Sequence, residues 1–260
     1  MLTLASSEIM SWIGSFLWPF FRVAALVTAA PVFGARTITV KIKLIIAILL
    51  TMVMMPVLPP MPVVDPLSGS AVLIVLNQIL IGASMGLALQ LLFGMFVAGG
   101  QIIAFQMGLG FASMIDPGSG TSVPVVSQLY VVLLTLIFLA LNGHLIVIDV
   151  LANSFQTLPI GVNGLSNDGI WALVSWGSTL YAGAVQIALP AIASLLLFNL
   201  TFGVVTRSAP QFNIFSIGFP VTMVAGFFIM MATLPSTMPH IERKFGLIVE
   251  LMRNLTSNVF

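Results

Sequence analysis

Hydrophobic residues lie in long runs that are separated by short polar segments. Runs long enough to cross a bilayer occupy about residues 9–30, 71–111, 123–148, 170–202 and 214–236, and a shorter run, Leu44–Met55, ends before Pro56. One helical crossing needs about 20 apolar residues. The period-two alternation of a transmembrane β-strand is missing. The pattern therefore predicts an all-α, multi-pass, membrane-associated protein made of hydrophobic helical hairpins.

One run is too long for a single crossing. A helix over residues 71–111 would measure about 60 Å at 1.5 Å per residue, which is twice the hydrocarbon thickness of a bilayer. The alternatives are a hairpin, a pair of crossings, or one helix that extends beyond the bilayer. Gly94, Gly99 and Gly100 permit a break in this run but do not require one.

The C-terminal segment has a different pattern. After Pro239, apolar residues recur at helical spacing, and charged residues occupy the other positions. We expect a separate amphipathic helix over residues 237–260, suited to a membrane interface or a partner subunit. The whole chain, 1–260, is predicted to form one domain. The apolar positions of the helix are Ile241, Phe245, Ile248 and Met252.

Composition narrows the function classes. Hydrophobic residues make up 59% of the chain, more than a soluble domain of this length can bury. A net charge of +1 gives too little positive electrostatic potential to bind nucleic acid. The absence of cysteine and the presence of only two histidines argue against thiolate and histidine metal sites, so no cofactor is predicted. No basic stretch precedes the first run, so we expect no cleaved signal peptide.

Polar residues inside the apolar runs indicate packing against protein. Arg22 lies in the first run, where exposure to lipid would cost about 2.5–3.5 kcal/mol. Glu8 is about 21 Å away along one helix, so we expect an intersubunit partner or a backbone carbonyl for Arg22. Gly82 and Gly86 form a GxxxG step that lets two helices approach closely. Each amide alone is explained by an ordinary interhelical hydrogen bond, but together they favour a multi-subunit assembly. They are Asn77, Gln78, Gln90, Gln101, Gln106, Gln128, Asn142, Gln186 and Asn199.

Several sequence blocks, in order along the whole chain, resemble the FliR family of flagellar export proteins, whose injectisome counterpart is the T-type export protein. One departure is Thr39, where relatives often carry proline, and it leaves the local loop shape open. The matching blocks are Trp18–Arg22, Ala30–Phe33, Gln78–Gly82, Gln106–Ala112 with Asp116–Gly118, Phe138–His144 and Arg207–Pro220.

The resemblance implies an assembly rather than a self-sufficient bundle. In this family one copy joins five P-type (FliP) and four Q-type (FliQ) subunits in a superhelical hetero-oligomer, together with an FlhB-type subunit. The assembly belongs to the flagellar basal body in the bacterial inner membrane. It encloses the export channel for unfolded flagellar proteins. The alternative within the family is the T-type component of a virulence injectisome.

The resemblance also implies a loop that plugs the closed pore. Residue chemistry suits this role, because glycine permits non-helical backbone and methionine packs adaptably. The alternative is a tight interhelical turn with buried apolar residues. The candidate plug residues are Gln106, Met107, Gly108, Gly110, Phe111, Met114, Ile115 and Asp116.

A second group of residues is predicted to pack subunits or to shape the gate. Proline and glycine in Arg207–Pro220 indicate a kinked or re-entrant segment, with a plain interhelical loop as the alternative. The predicted packing residues are Arg22, Gly82, Gly86, Arg207, Pro210, Gln211, Asn213, Phe215, Gly218 and Pro220.

Two other function classes are less well supported. A small-molecule or ion transporter would need paired midplane charges and two related halves, and Arg22 is the only clear charge within a run. An intramembrane enzyme would need a catalytic constellation within the helices, and none is present in the sequence. His144 and Asp149 could form a proton relay, but their spacing favours a hydrogen-bonded structural histidine.

Overall fold

The computed structural model describes residues 6–35, 37–62, 64–65, 68–109, 125–208 and 218–257, and the side chains of the first helix from Gly14 onward. In these ranges the regular structure is helical throughout, which confirms the all-α prediction. The helices are α1 Ser6–Ala29, α2 Val40–Met54, α3 Gly69–Gln106, α4 Val125–Ala140, α5 Gly143–Thr157, α6 Asn167–Ser208 and α7 Phe219–Ser257.

Four helices in the described ranges are long and apolar enough to cross a membrane, so the multi-pass prediction is also confirmed. They are α2 extended to Val57, α3, α6 and α7, and α4 with α5 makes a fifth if that bent pair counts as one span. The run 9–30 does form a helix, but its described apolar part, Gly14–Ala29, falls short of spanning length. Pro56 lies in a 3₁₀ turn, Met55–Val57, directly after α2. It ends the helix as expected, because proline lacks the backbone N–H that the helical ladder needs.

The long run 71–111 forms one continuous helix. Helix α3 has 38 residues and is therefore about 57 Å long. Its glycines do not break it; they allow close packing instead. A Cβ on Gly100 would lie 2.7 Å from the Cα of Ser127 on α4. The Ser127 hydroxyl donates to the carbonyl of Val97 at 3.0 Å, which ties α4 to α3 at the same point.

The prediction of a separate C-terminal helix is wrong. Helix α7 runs without interruption through Pro235 and Pro239. Hydroxyl groups support the backbone around these prolines: Ser236 donates to the carbonyl of Thr233 at 2.6 Å, and Thr237 donates to that of Leu234 at 2.6 Å. The carbonyls that lose their helical donors are those of Met231 and Pro235, four residues before each proline, and the helix continues past both.

The apolar face of the C-terminal part of α7 is covered by the chain itself. Ile241, Phe245, Ile248 and Met252 are 3%, 7%, 0% and 0% exposed, respectively. The amphipathic pattern was therefore predicted correctly, but its partner is intramolecular. This face is not available to a membrane interface or to another subunit.

The apolar run 123–148 is interrupted by a sharp bend. Helices α4 and α5 meet at 66°, so the run does not form one straight helix. Asn142 lies at the bend with φ 54° and ψ 28°, in the left-handed region. Asparagine tolerates this conformation better than other non-glycine residues. The adjoining Gly143 is needed for space, because a Cβ there would lie 2.5 Å from the ring of Phe138.

Asn142→Val is expected to lower the free energy of unfolding by about 1–2 kcal/mol, because a β-branched residue is strained in the left-handed conformation. Asn142→Gly is expected to be at least as stable as the parent chain. Thermal unfolding of the purified protein in detergent measures both variants. Equal melting temperatures for the valine and glycine variants would contradict the assigned bend.

Contacts within the chain define two compact units. The first contains the described residues of Met1–Leu91, Phe138–Gly177 and Gly246–Phe260, and the second contains those of Leu92–Ile137 and Ser178–Phe245. Helices α3, α4, α6 and α7 contribute residues to both. The prediction of one domain over residues 1–260 stays a prediction.

Candidate functional site

The predicted plug segment starts at a well-defined helix end. Helix α3 ends at Gln106, and Gly108 adopts φ +80°. The Leu109 amide donates to the carbonyl of Ala104, and the Gly108 amide donates to that of Phe105, each at 3.0 Å. This pair of bonds with a left-handed glycine is a Schellman motif. Gly108 thus permits non-helical backbone as predicted, and it sets the direction in which the chain leaves α3.

The base of this segment is anchored on α7. Met107 is 0% exposed, and its side chain packs against Gly226, where a Cβ would lie 2.5 Å from Met107 Cγ. Gly108 faces the ring of Phe219, 2.9 Å from the position a Cβ would take. Met107 therefore serves as a buried anchor at the start of the segment, whereas the sequence predicted it as plug filler.

A cavity of about 420 Å³ joins the bases of the two segments that the sequence singled out separately. Phe105, Gln106 and Gly108 line it from the end of α3 and the turn that follows, and Gly218 and Phe219 line it from the start of α7. The C-terminal part of α6 completes the wall with Asn199, Phe202 and Gly203. The Thr222 hydroxyl donates to Asn199 Oδ1 at 3.3 Å, which links α7 to α6. Sequence spacing could not reveal this convergence, because it depends on how the helices pack.

Several predicted site residues lie outside the described ranges. They are Gly110, Phe111, Met114, Ile115 and Asp116 of the plug segment, and Pro210, Gln211, Asn213 and Phe215 of the second segment. Within the described ranges, Arg207 is exposed in the last turn of α6 and Gly218 is buried. Pro220 lies exposed in the first turn of α7, where its missing N–H has no helical partner to lose.

Arg22 is fully buried and is bonded to three parts of the first unit. Its Nε donates to Gln78 Oε1 at 2.8 Å. Nη1 donates to the carbonyl and the hydroxyl of Ser154 at 2.9 and 3.0 Å, and Nη2 donates to the carbonyl of Leu158 at 2.9 Å. The predicted backbone-carbonyl partner is thus confirmed. An intersubunit partner is not needed, since the guanidinium is 0% exposed.

The charge of Arg22 is balanced without a carboxylate among its bonded partners. Ser154 belongs to the last turn of α5 and Leu158 follows that helix, so the guanidinium lies at its C-terminus. The negative end of the helix dipole favours a cation there. The ring of Phe155 lies 4.3 Å from the guanidinium carbon and adds a cation–π contact. The sequence singled out Arg22 and Gln78, but it carried no signal for Ser154, Phe155 or Leu158.

The predicted GxxxG step packs α3 against α1. A Cβ on Gly82 would collide with the carbonyl oxygen of Arg22 and would lie 2.9 Å from Ala25 Cβ. A Cβ on Gly86 would collide with Ala29 Cβ and would lie 3.0 Å from the amide nitrogen of Ala30. Both glycines therefore allow contact between helix backbones. The contact is within one chain, so the predicted role of these glycines in subunit packing is untested.

No hydrogen bond joins His144 to Asp149 in the part of the chain that the structure describes. Asp149 is largely exposed, and its Oδ2 lies 4.0 Å from Nη2 of Arg253. The Nδ1 atom of His144 is buried without a hydrogen-bond partner among the described residues, so the hydrogen-bonded histidine is not found at that atom. In the same part of the chain, no three His, Asp or Glu residues come together as a metal site would require.

Comparison with known proteins shows which family the chain belongs to. The model of a family described as "Bacterial export proteins, family 1" matches residues 13–248. The chain belongs to this family. As an export protein of family 1, it is 38% identical over 259 residues to the flagellar biosynthetic protein FliR of Escherichia coli (strain K12), covering 100% of the chain and 99% of the relative.

Two other relatives of this export protein carry the same name. The flagellar biosynthetic protein FliR of Pectobacterium carotovorum subsp. carotovorum is 37% identical over 259 residues, with 100% of the chain and 99% of the relative covered. That of Bacillus subtilis (strain 168) is 26% identical over 257 residues, with 97% and 98% covered. The resemblance to the FliR family is confirmed over nearly the full length.

Proposed function

We propose that this protein is a structural component of the flagellar protein export gate in the bacterial inner membrane. It joins five P-type and four Q-type subunits, with an FlhB-type subunit beside them, and it has no catalytic role. The observation that carries the proposal is the full-length relationship to proteins named flagellar biosynthetic protein FliR. The assembly encloses the channel through which unfolded flagellar proteins leave the cell.

Large unburied apolar surfaces support a multi-subunit setting. In the most apolar 18-residue windows of α6 and α7, only 22% and 11% of the residues are buried. Leu197 and Phe228 illustrate the exposure, at 68% and 69%. Patches of this extent on a folded chain need lipid or protein to cover them.

Exposed amides favour protein over lipid for part of that surface. Gln128 on α4 and Gln186 on α6 are exposed within otherwise apolar helices. An amide without a partner in hydrocarbon costs several kcal/mol, whereas neighbouring subunit helices offer hydrogen-bond partners. The P-type and Q-type subunits therefore cover these two positions in the proposed assembly.

The segment that follows Gly108 plugs the closed channel in this proposal, and Arg207–Pro220 shapes the gate beside it. The support is the shared cavity at their bases and the Schellman motif that directs the chain away from α3. The buried Met107 anchors the base of the segment. Apolar and methionine side chains in the segment suit a seal that yields to varied polypeptides.

Co-purification tests the assembly. We expect the tagged chain to be heterogeneous when it is expressed alone, and to purify in stoichiometric complex when P-type and Q-type subunits are co-expressed. Gln186→Leu is expected to weaken subunit retention more than Gln156→Leu, a change at an exposed position near the end of α5. Native mass spectrometry reads the subunit composition. A monodisperse monomer that does not bind the co-expressed subunits would refute the proposal.

Deleting Gly110–Ile115 is expected to make the assembled gate leaky to ions and small solutes. Gly108→Ala is expected to produce a smaller leak, because alanine is strained at positive φ and would meet the Phe219 ring. Conductance of the reconstituted complex measures both. Deletion of Val57–Pro62, a connection of equal length, is the control and should leave conductance unchanged. A tight channel after the Gly110–Ile115 deletion would remove the plug assignment.

A further inference from the structure

One face of α7 lies against the turn that ends α3. Phe219, Thr222 and Gly226 follow one another at the spacing i, i+3, i+7, which places residues on one side of a helix. The ring of Phe219 lies beside Gly108, and Gly226 faces Met107. These residues all belong to the second unit. The first part of α7 therefore supports the base of the proposed plug segment.

The side chain of Met107 packs directly on the backbone of Gly226. A Cβ added to Gly226 would lie 2.5, 2.9 and 3.1 Å from Cγ, Cε and Sδ of Met107. Both residues are buried. Glycine is unfavourable inside a helix, so the helical conformation of α7 does not call for it at this position. The contact with Met107 does.

This contact constrains the turn as well as the side chain. The Met107 amide donates to the carbonyl of Ile103 at 3.0 Å, and the next residue, Gly108, has φ +80°. The Cγ atom of Met107 is only two bonds from its Cα. It cannot move far unless the side chain changes its χ1 rotamer or the turn itself shifts. The size of the residue at position 226 is thus coupled to the direction in which the chain leaves α3.

The α7 side of the contact is the more firmly held of the two. Gly226 lies inside a continuous helix, whereas Met107 lies just past the end of one. The Thr222 hydroxyl, one turn before Gly226, donates to Asn199 Oδ1 of α6 at 3.3 Å. Met230, one turn after Gly226, is buried. A larger residue at position 226 is therefore expected to displace the turn of α3 and not α7.

We propose that Gly226 is a positioning residue for the plug and acts through Met107. The missing side chain at Gly226 lets Met107 pack on α7, and this contact fixes the base from which the segment after Gly108 starts. The proposal rests on the plug role proposed above. It adds to that role a residue of α7 that the sequence did not single out.

Conductance of the reconstituted complex tests the positioning role. Gly226→Ala is expected to leak, but less than the Gly110–Ile115 deletion, even though alanine favours the helix more than glycine does. Met107→Ala removes Cγ, Sδ and Cε and is also expected to leak. The double variant is expected to leak less than either single variant, because the added methyl group occupies space that Met107 has vacated.

Gly177→Ala on α6 is the matched control, since nothing lies within 4 Å of the position its Cβ would take. It is expected to stay as tight as the parent complex. Native mass spectrometry is expected to show the same subunits in every variant, so a leak does not reflect a lost partner. A tight Gly226→Ala complex would overturn the proposal. A double variant that leaks as much as the two single variants together would do the same.

Disulfide cross-linking tests the contact itself, whatever the segment after Gly108 does. The chain has no cysteine, so Met107→Cys with Gly226→Cys introduces the only pair in it. The 2.5 Å contact and one C–C bond of about 1.5 Å place the two Cβ atoms no more than about 4 Å apart, within reach of a disulfide. We expect mild oxidation of the assembled complex to form this bond, as read by peptide mass spectrometry.

Met107→Cys with Gly203→Cys is the control pair. Gly203 lines the same cavity, but nothing lies within 4 Å of the position its Cβ would take, so no bond is expected. If the Gly110–Ile115 deletion leaks and the pair at Met107 and Gly226 does not cross-link, the positioning role alone is overturned. If the deletion leaves the channel tight, the plug role fails and the positioning role fails with it.

Discussion

Arg22→Met is expected to lower the free energy of unfolding by several kcal/mol, at about 1–3 kcal/mol for each buried acceptor that loses its donor. The change leaves Gln78 Oε1 and the carbonyls of Ser154 and Leu158 without their donors in a dry interior. It also removes the cation at the C-terminus of α5. Denaturation in detergent measures the loss, and immunoblotting of membranes is expected to show depletion of the protein.

Two variants separate the geometry of Arg22 from its charge. Arg22→Lys keeps the charge but cannot reproduce the planar fork that reaches Gln78, Ser154 and Leu158, so an intermediate loss is expected. Arg243→Met, at an exposed position of α7, is expected to stay within about 0.5 kcal/mol of the parent chain. If the Arg22→Met and Arg243→Met variants have the same free energy of unfolding, the buried network does not stabilise the first unit.

Gly82→Val is expected to cost about 3 kcal/mol, at the upper end for an overpacked core. Its side chain would meet the backbone of α1 at Arg22, and a helix backbone cannot move aside as a flexible side chain can. Helices α1 and α3 would have to separate, which would also stretch the bond between Arg22 and Gln78. Thermal unfolding in detergent measures the loss of stability, and Gly86→Val is expected to lose a similar amount.

Gly246→Ala is the matched control, since nothing lies within 4 Å of the position its Cβ would take. Alanine in a helix interior is favoured over glycine by about 0.5–1 kcal/mol, so this variant is expected to be slightly more stable. The double variant Arg22→Met with Gly82→Val tests the coupling. If both changes open the same contact, the double variant will lose less free energy of unfolding than the two single variants lose in sum. Strict additivity would show that the two contacts are independent.

Prediction succeeded where local chemistry decides the structure. Pro56 ends α2 because proline lacks the backbone N–H, and Gly108 ends α3 because glycine adopts a positive φ without strain. Both effects act within one helical turn. It failed at Pro239, where α7 continues through the proline. It also failed at Asn142, where one left-handed residue bends an apolar run that is long enough to span a membrane.

The candidate site was predicted as separate pieces. Arg22, Gly82 and Gly108 were chosen correctly as special positions, because a charge in an apolar run and glycine in a helix are costly unless packing requires them. Their partners were not predictable. Ser154 and Leu158 are more than a hundred residues from Arg22, and Phe219 is equally remote from Gly108.

The sequence by itself determined the helical membrane class, the family and the residues whose chemistry is out of place, since hydrophobicity, charge and backbone preference are local properties. Only the tertiary structure decided which helices stay continuous, that the apolar face of α7 is covered within the chain, and that the end of α3 and the start of α7 line one cavity. Those outcomes depend on contacts between residues far apart in the chain, and such contacts leave no periodic signal in the sequence.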